Sequence, residues 1–180
     1  METELDSLIY DWNRDGRAAR ADYRAVELDD ETLRDGLQGP SIRNPPLEVK
    51  KRLLHLMDDL GIDSADIGLP GASPQARATI VALAKETTKL KRLRPNMAIR
   101  THPDDVRAAI EASTEAGVPI ESCAFIGSSP IRRFAEDWKI ETMVKSVETS
   151  VATLVKADGQ EIAIHAMKMR PKYQRLLPGE

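Results

Sequence analysis

Two patterns of hydrophobic and polar positions alternate along this chain from residue 25 onward. Alternation with a period of two, or a short apolar run, is typical of strands, and apolar residues three and four apart are typical of helices. The strand patterns cover residues 25–33, 64–69, 96–101, 120–127 and 161–167. The helix patterns between them cover residues 44–61, 73–90, 102–117 and 139–157. Repeated strand–helix units with short loops predict a parallel sheet covered by helices.

Residues that commonly begin and end helices flank these segments. Asn44 and Ser73 are predicted N-caps, and Gly61 and Gly117 stand where helices end. The last helix carries a long apolar stripe that we expect to pack on the sheet, made of Ile140, Met143, Val144, Val147, Val151, Leu154 and Val155.

Composition and charge exclude several classes of protein. The 180 residues suffice for one domain, and 41% apolar with 31% charged residues is an ordinary soluble composition. A net charge of -3 and 4% aromatic residues disfavour nucleic-acid binding. The acidic N-terminus has no secretory signal and no run is long enough for a membrane span, which predicts a cytoplasmic protein. A single cysteine excludes an internal disulfide framework.

Two architectures fit a parallel sheet covered by helices. About five strands complete a doubly wound open sheet, whereas a (β/α)8 barrel typically needs about 250 residues, so length alone favours the open sheet. In both, ligands bind at the carboxyl ends of the strands. The segments "RDG", "GLPG", "RTH" and "GSSP" all fall at predicted strand ends, and we expect them to converge on one face.

The first strand end carries the residues with the most chemistry. Asp35 is a hard oxygen donor suited to Mg²⁺ or Mn²⁺ and acceptable to Zn²⁺. Arg34 offers a rigid fork of donors for a developing oxyanion, and Gln38 can bind a substrate. The alternative is an ordinary Arg–Asp surface pair in a βα loop.

Each of the other strand ends offers a candidate with a structural alternative. Asp66 is predicted to pair with Arg34 on the adjacent strand; the alternative is an ordinary loop aspartate. Arg100 is a candidate for substrate binding. Ser128 and Ser129, before a helix-like segment, suit a carboxylate or phosphate, or are ordinary turn residues.

The remaining polar and sulfur-bearing residues favour structural roles. His55 lies inside a helix and is predicted to pack while partly exposed. His102 is interpreted as a helix cap, and Cys123 as a core residue of an apolar strand. The basic residues 89–94 are predicted to be a solvated helix end.

The motif "ETLRDGLQ" resembles the signature of the DRE-TIM metallolyase superfamily, in its 2-isopropylmalate synthase-like branch. "LLHLMDDLGIDSADIGLPGAS" and "FIGSSPIR" resemble the second-strand region and the fourth-strand loop of that branch. The resemblance implies a partial (β/α)8 TIM barrel of about four to five βα units. It also implies that Asp35 ligates a divalent metal, that Arg34 stabilises an enolate or carbonyl oxygen, and that Asp66 holds this arginine.

Some positions depart from the family pattern. The family completes its metal site with a His-x-His pair, which occurs nowhere in this sequence, and Cys123 stands near a position where the synthases often have histidine. The resemblance ends near residue 157, which predicts a polar leader over 1–24, a partial barrel over 25–157 and a divergent tail over 158–180. We expect such a truncated half-barrel to form a homo-oligomer or to need a complementing half.

The resemblance implies a metal-dependent acyltransferase that condenses acetyl-CoA with a 2-oxo acid, as in leucine biosynthesis. Whether this chain catalyses the reaction by itself stays open, because one metal ligand alone predicts little turnover. One alternative is a carbon–carbon lyase of the hydroxymethylglutaryl-CoA lyase type. Another is a non-catalytic half-barrel that binds a partner.

Overall fold

Parallel strands and α-helices alternate in the computed structural model, which describes residues 26–158. The strands are β1 (Asp29–Asp30), β2 (Ser64–Asp66), β3 (Arg94–Arg100) and β4 (Glu121–Phe125). The helices are α1 (Leu47–Leu60), α2 (Pro74–Thr87), α3 (Pro103–Ala116), α4 (Pro130–Ala135) and α5 (Ile140–Asp158). Short 3-10 helices, Asp35–Gln38 and Pro70–Ala72, lie in the loops after β1 and β2.

The four strands form one sheet in the order β1-β2-β3-β4, and every neighbouring pair is parallel. In this order each new strand adds on the same side of the sheet, as in a TIM barrel, whereas a doubly wound sheet reverses direction. The predicted partial barrel is therefore confirmed for four βα units, and the open sheet that length favoured is wrong. The predicted strand over 161–167 lies outside the described residues.

One face of the sheet and the inner faces of the helices form the hydrophobic core. Ala65, Ile67, Met97 and Ile99 of the strand regions are at most 2% exposed and belong to this core. The helices contribute mainly Leu54, Met57, Ile80, Val81, Leu83, Ala84, Val106, Ala109, Ala112, Ala116 and Leu154. Burial of this continuous apolar layer stabilises the sheet and holds its strand ends in place.

The helix ends follow the sequence, with one exception. Ser73 accepts a hydrogen bond from the Ala76 N–H, and Gly61 ends α1 with a φ of 91°. The predicted N-cap Asn44 is wrong, because α1 begins only at Leu47, after Pro46. Two successive prolines explain the delay, since a residue before proline is disfavoured in helical conformation.

The first two strands are shorter than their apolar patterns predict. β1 pairs with β2 through only two residues, and Asp30 then accepts a hydrogen bond from the Thr32 N–H at 2.8 Å. β2 ends at Asp66, whose side chain accepts a hydrogen bond from the Gly68 N–H at 2.9 Å. Aspartates at both strand ends thus bond to the main chain two residues ahead, which turns the chain away from the ladder.

The apolar stripe of α5 is buried only in part, so its predicted packing on the sheet is wrong in extent. Met143 and Leu154 are buried, but Val144 and Val155 are exposed. α5 packs mainly on α3, and a helix covers a narrower strip than a sheet would. No helix within residues 26–158, α5 included, combines the length and apolar character that a membrane span requires.

Replacing Leu54, which is 0% exposed, with alanine should lower the free energy of unfolding by about 2–5 kcal/mol, because it opens a cavity in the core. Urea denaturation of the variant measures this change. Leu56→Ala is the matched control, since Leu56 lies two residues along α1 and is 60% exposed. Equal losses in the two variants would contradict the assigned core.

Candidate functional site

The motif between β1 and α1 is a tight turn anchored by one apolar side chain. Leu33 is 4% exposed and belongs to the hydrophobic core. The Glu31 carbonyl accepts hydrogen bonds from the N–H groups of Arg34 at 3.2 Å and Gly36 at 3.1 Å. This closed turn fixes the backbone from which the Arg34 and Asp35 side chains extend.

Arg34 forms an ion pair with Asp66 across the ends of β1 and β2. Its Nε donates to Asp66 Oδ2 at 2.6 Å, and the other Asp66 oxygen accepts from the Gly68 N–H at 2.9 Å. Asp66 is 2% exposed, whereas the Arg34 side chain is 21% exposed. The pairing that the sequence proposed is therefore present, and the carboxylate is its buried half.

Burial disfavours the charged form of both partners, but the neighbouring groups outweigh it only for Arg34. Burial raises the pKa of the Asp66 carboxyl to about 6, because its desolvation outweighs the Gly68 N–H and the Arg34 charge, which both favour the carboxylate. Burial also opposes the charge on Arg34, but the carboxylates of Asp66 and Glu31 outweigh it and raise the pKa of Arg34 above its ordinary value. Arg34 therefore stays a cation, while Asp66 titrates close to neutral pH.

Two further carboxylates contact Arg34 from its own loop. Nη1 donates to Asp35 Oδ1 at 3.3 Å, and Nη2 donates to Glu31. Their side chains are 65% and 48% exposed, so both face solvent. Glu31 was not singled out from the sequence, although it stands three residues before Arg34 in the quoted motif.

Asp35 and its surroundings supply only part of what a divalent cation needs. Asp35 is an exposed hard oxygen donor, which suits one position in the coordination shell. Within residues 26–158 no group of three or more His, Cys, Asp or Glu side chains could hold a metal ion. This part of the chain thus supplies a single predicted ligand and does not fit a complete metal site, so no reaction step is assigned to a metal here.

Arg100 is engaged by the first turn of α3. Its Nε and Nη2 each donate to Asp105 at 2.7 Å, and its main-chain N–H donates to the same carboxylate at 3.1 Å. Burial disfavours the charge on Asp105, but these bonds outweigh it and hold its pKa below the usual value. A Cβ atom on Gly71 would lie 2.5 Å from Asp105 Oδ1, so the loop after β2 packs directly on this carboxylate.

A cleft of about 420 Å³ lies between the beginnings of α2 and α3, and Arg100 lines it together with Arg77 and His102. His102 Nδ1 accepts a hydrogen bond from the Asp104 N–H at 3.2 Å, so His102 caps α3 as interpreted from the sequence. Arg77 forms an ion pair with Glu111 on α3. The positive charges of the cleft are therefore largely compensated by carboxylates.

The other predicted substrate-binding residues lie on exposed loops. Gln38 is exposed at the end of the 3-10 helix that begins with Asp35. Ser128 and Ser129 are exposed after β4, and the Ser129 hydroxyl accepts a hydrogen bond from the Arg132 N–H at 3.1 Å. The structure therefore joins Arg34, Asp35 and Asp66 by direct contact, and the functional roles of all seven residues stay predictions.

The sheet face opposite the helices carries a polar network that the sequence did not reveal. Asp29 Oδ1 accepts hydrogen bonds from Ser64 Oγ at 2.5 Å and from Asn96 Nδ2 at 2.6 Å. Cys123 Sγ lies 3.8 Å from Asn96 Oδ1. The period-two spacing of Ser64 and Asp66 was the one signal that polar residues share this face.

Cys123 differs from its predicted surroundings, whereas His55 agrees with its own. Cys123 is half-buried on the polar face and not in the core between sheet and helices, because its partner in the ladder is Ala98 and not a core residue such as Ile99. Burial, with Glu121 and Asp66 nearby, raises the pKa of Cys123 to about 12, so its thiol stays protonated at neutral pH. His55 is exposed, as predicted, and its Nε2 lies 2.9 Å from Glu86 Oε1 on α2.

The raised pKa of Asp66 predicts a pH-dependent stability. Because the folded chain binds this proton up to about pH 6, the contribution of Asp66 to the free energy of unfolding is present below about pH 4 and is lost as pH rises through 6. The difference in unfolding free energy between the wild-type chain and Asp66→Asn should fall by on the order of 3 kcal/mol from pH 4 to pH 7. Urea unfolding across that range measures it, with Asp59→Asn as an exposed control. A difference that grows with pH would mean that the Arg34 charge dominates.

Comparisons with known proteins find homocitrate synthases and 2-isopropylmalate synthases among the relatives of this chain. It is 33% identical to the mitochondrial homocitrate synthase of Penicillium rubens over 76% of this chain and 27% of that protein. It is 34% identical to the 2-isopropylmalate synthase of Streptococcus gallolyticus over 61% of this chain and 20% of that protein. It is 31% identical to the cytosolic homocitrate synthase isozyme of Saccharomyces cerevisiae over 76% of this chain and 30% of that protein.

The chain thus spans between a fifth and a third of the length of these relatives. The model of the HMGL-like family matches residues 25–171, which begins where the predicted barrel begins and extends past its predicted end at 157. The predicted divisions at residues 24 and 157 stay predictions. Because the match covers most of the sequence, the chain belongs to the HMGL-like family.

Proposed function

We propose that this chain is part of a metal-dependent acyltransferase that condenses acetyl-CoA with a 2-oxo acid. The observation that carries the proposal is the fixed Arg34 side chain at the carboxyl ends of β1 and β2, paired with a buried carboxylate at 2.6 Å. The homocitrate and 2-isopropylmalate synthases among its relatives support this reaction class. A role in leucine biosynthesis is the finer form of the same proposal.

Arg34 would stabilise the oxygen on which negative charge develops during carbon–carbon bond formation. A positioned cation lowers the barrier when it need not reorganise during the reaction. Asp66 and the closed turn at Glu31 supply that rigidity, because they hold both the side chain and the backbone of Arg34. In this scheme Asp66 positions the arginine and does not itself contact the substrate.

Asp35 would hold a divalent cation, Mg²⁺, Mn²⁺ or Zn²⁺, together with ligands from outside residues 26–158. Such a cation polarises a carbonyl group when it is bound. Gln38, Arg100, Ser128 and Ser129 are proposed to contact the substrates, and Gln38 ends the 3-10 helix that begins at Asp35. Arg100 would first have to release part of its bidentate contact with Asp105.

The proposed partners are small molecules, a 2-oxo acid and acetyl-CoA, and a cytoplasmic location is proposed with them. Relatives include both mitochondrial and cytosolic homocitrate synthases. The predicted homo-oligomer or complementing half-barrel also stays a proposal, which sedimentation of the purified chain tests.

Arg34→Lys should reduce the condensation rate on the order of 10²–10³-fold, because lysine lacks the fork that holds Asp66 and an oxyanion together. Release of free CoA thiol from acetyl-CoA measures the rate, with 2-oxo acids that carry either a second carboxylate or a branched apolar group. Arg107→Lys is the control, since Arg107 pairs with Asp104 on the exposed side of α3. CoA release that is indifferent to Arg34 would overturn the proposal, and CoA release that is absent with every 2-oxo acid would favour the non-catalytic half-barrel. Cleavage of a 3-hydroxyacyl-CoA in place of condensation would favour the lyase alternative.

Asp35→Ala should weaken Mn²⁺ binding to the full chain by on the order of tenfold or more, because a direct ligand contributes at least as much affinity as the groups that orient it. Titration calorimetry measures the affinity. Asp59→Ala removes a carboxylate of similar exposure and should leave Mn²⁺ binding unchanged. Binding that is insensitive to Asp35→Ala would show that Asp35 is not a ligand.

A further inference from the structure

All three nitrogens of the Arg34 guanidinium are held by carboxylates from different positions. Asp66 binds Nε, Asp35 lies on Nη1 and Glu31 on Nη2. One positive charge thus faces three acidic groups. An anionic substrate that approached with all of them in place would meet an excess of negative charge.

The contacts that Asp66 and Glu31 make with Arg34 differ in how readily another anion can replace them. Asp66 is 2% exposed and is also fixed by the Gly68 N–H, so leaving it without Arg34 would strand a buried carboxylate. Glu31 is 48% exposed, and an exposed carboxylate regains water when it leaves its partner. Nη2 is therefore an edge of the arginine that can change partners at small cost.

The backbone allows this exchange without loss of the turn. The carbonyl of Glu31, not its side chain, accepts the hydrogen bonds from the Arg34 and Gly36 N–H groups. Rotation of the Glu31 side chain away from Nη2 leaves both bonds in place. Arg34 thus keeps its position while its outer edge becomes available.

We propose that Glu31 sets how tightly Arg34 binds anions, because its carboxylate occupies Arg34 Nη2 until an anionic substrate displaces it. The inference rests on the proposed function, in which Arg34 binds an oxygen of the 2-oxo acid or its enolate. Because the Glu31 carboxylate must first leave Nη2, every small anion binds more weakly than it would to a free Nη2.

Oxalate, a dianion that resembles the oxygen arrangement of a 2-oxo acid enolate, tests this competition. Calorimetric titration of the full chain is carried out at fixed low ionic strength without divalent cations. Glu31→Gln should bind oxalate about fivefold more tightly than wild type, because the competing charge is gone. Glu27→Gln, which removes a comparable exposed ion pair with Arg94, should leave the affinity unchanged. Arg34→Lys should weaken oxalate binding about tenfold.

Glu31→Asp provides a second variant, because it keeps the charge but withdraws the carboxylate from Nη2 by one methylene. It should also bind oxalate more tightly than wild type, whereas an effect of charge alone would leave it unchanged and overturn direct competition. Unchanged or weaker binding in Glu31→Gln overturns the inference, and if Arg34→Lys still weakens binding, the proposed function stands. Oxalate binding that is absent from every variant or indifferent to Arg34 overturns the inference, and the proposed function is then decided separately by the release of CoA from acetyl-CoA. Thermal unfolding of each variant verifies that it is folded.

Discussion

Burial of the Asp66 carboxylate determines how the residues at the first two strand ends are arranged. A carboxylate that is 2% exposed needs nearby donors to carry a charge, and the Gly68 N–H and Arg34 Nε provide them. This requirement fixes the direction of the Arg34 side chain. Asp35 and Glu31 then meet the outer nitrogens of the same group because they flank it in a closed turn. The proposed chemistry depends on an arginine that is oriented by a carboxylate behind it.

One face of the sheet is apolar and the other is polar, and this difference explains how a small core supports a polar site. Helices cover one face, where Ile67, Met97 and Ile99 pack against them. The opposite face carries Asp29, Ser64 and Asn96, which satisfy one another by short hydrogen bonds. Because neighbouring residues of a strand point to opposite faces, the apolar residues that fix each strand alternate with the polar ones. The core therefore positions the polar network without contacting it.

The sequence predicted features that depend on local chemistry and missed those that depend on pairing between strands. The order of strands and helices, the Ser73 cap and the end of α1 at Gly61 follow from residues close together in the chain. The short β1 and the exposed outer part of α5 depend on which neighbours are present, and periodicity alone does not contain that information. The contact of Asp66 with Arg34 was predictable because parallel strands bring their carboxyl ends together. The contact of Asn96 with Asp29 depends on the register across β2, which no local pattern shows.

The close approach of Gly71 to Asp105 has a consequence for how this chain can vary. A side chain at position 71 would overlap a carboxylate that holds both the main chain and the guanidinium of Arg100. That carboxylate is 1% exposed, and a movement away from position 71 would break its bonds to Arg100. A larger residue at 71 is thus compatible with the fold only when position 105 becomes smaller and position 100 loses its anchor. Among relatives that keep this packing, the three positions should covary as a group, although 71 lies in the loop after β2 and 105 in the first turn of α3.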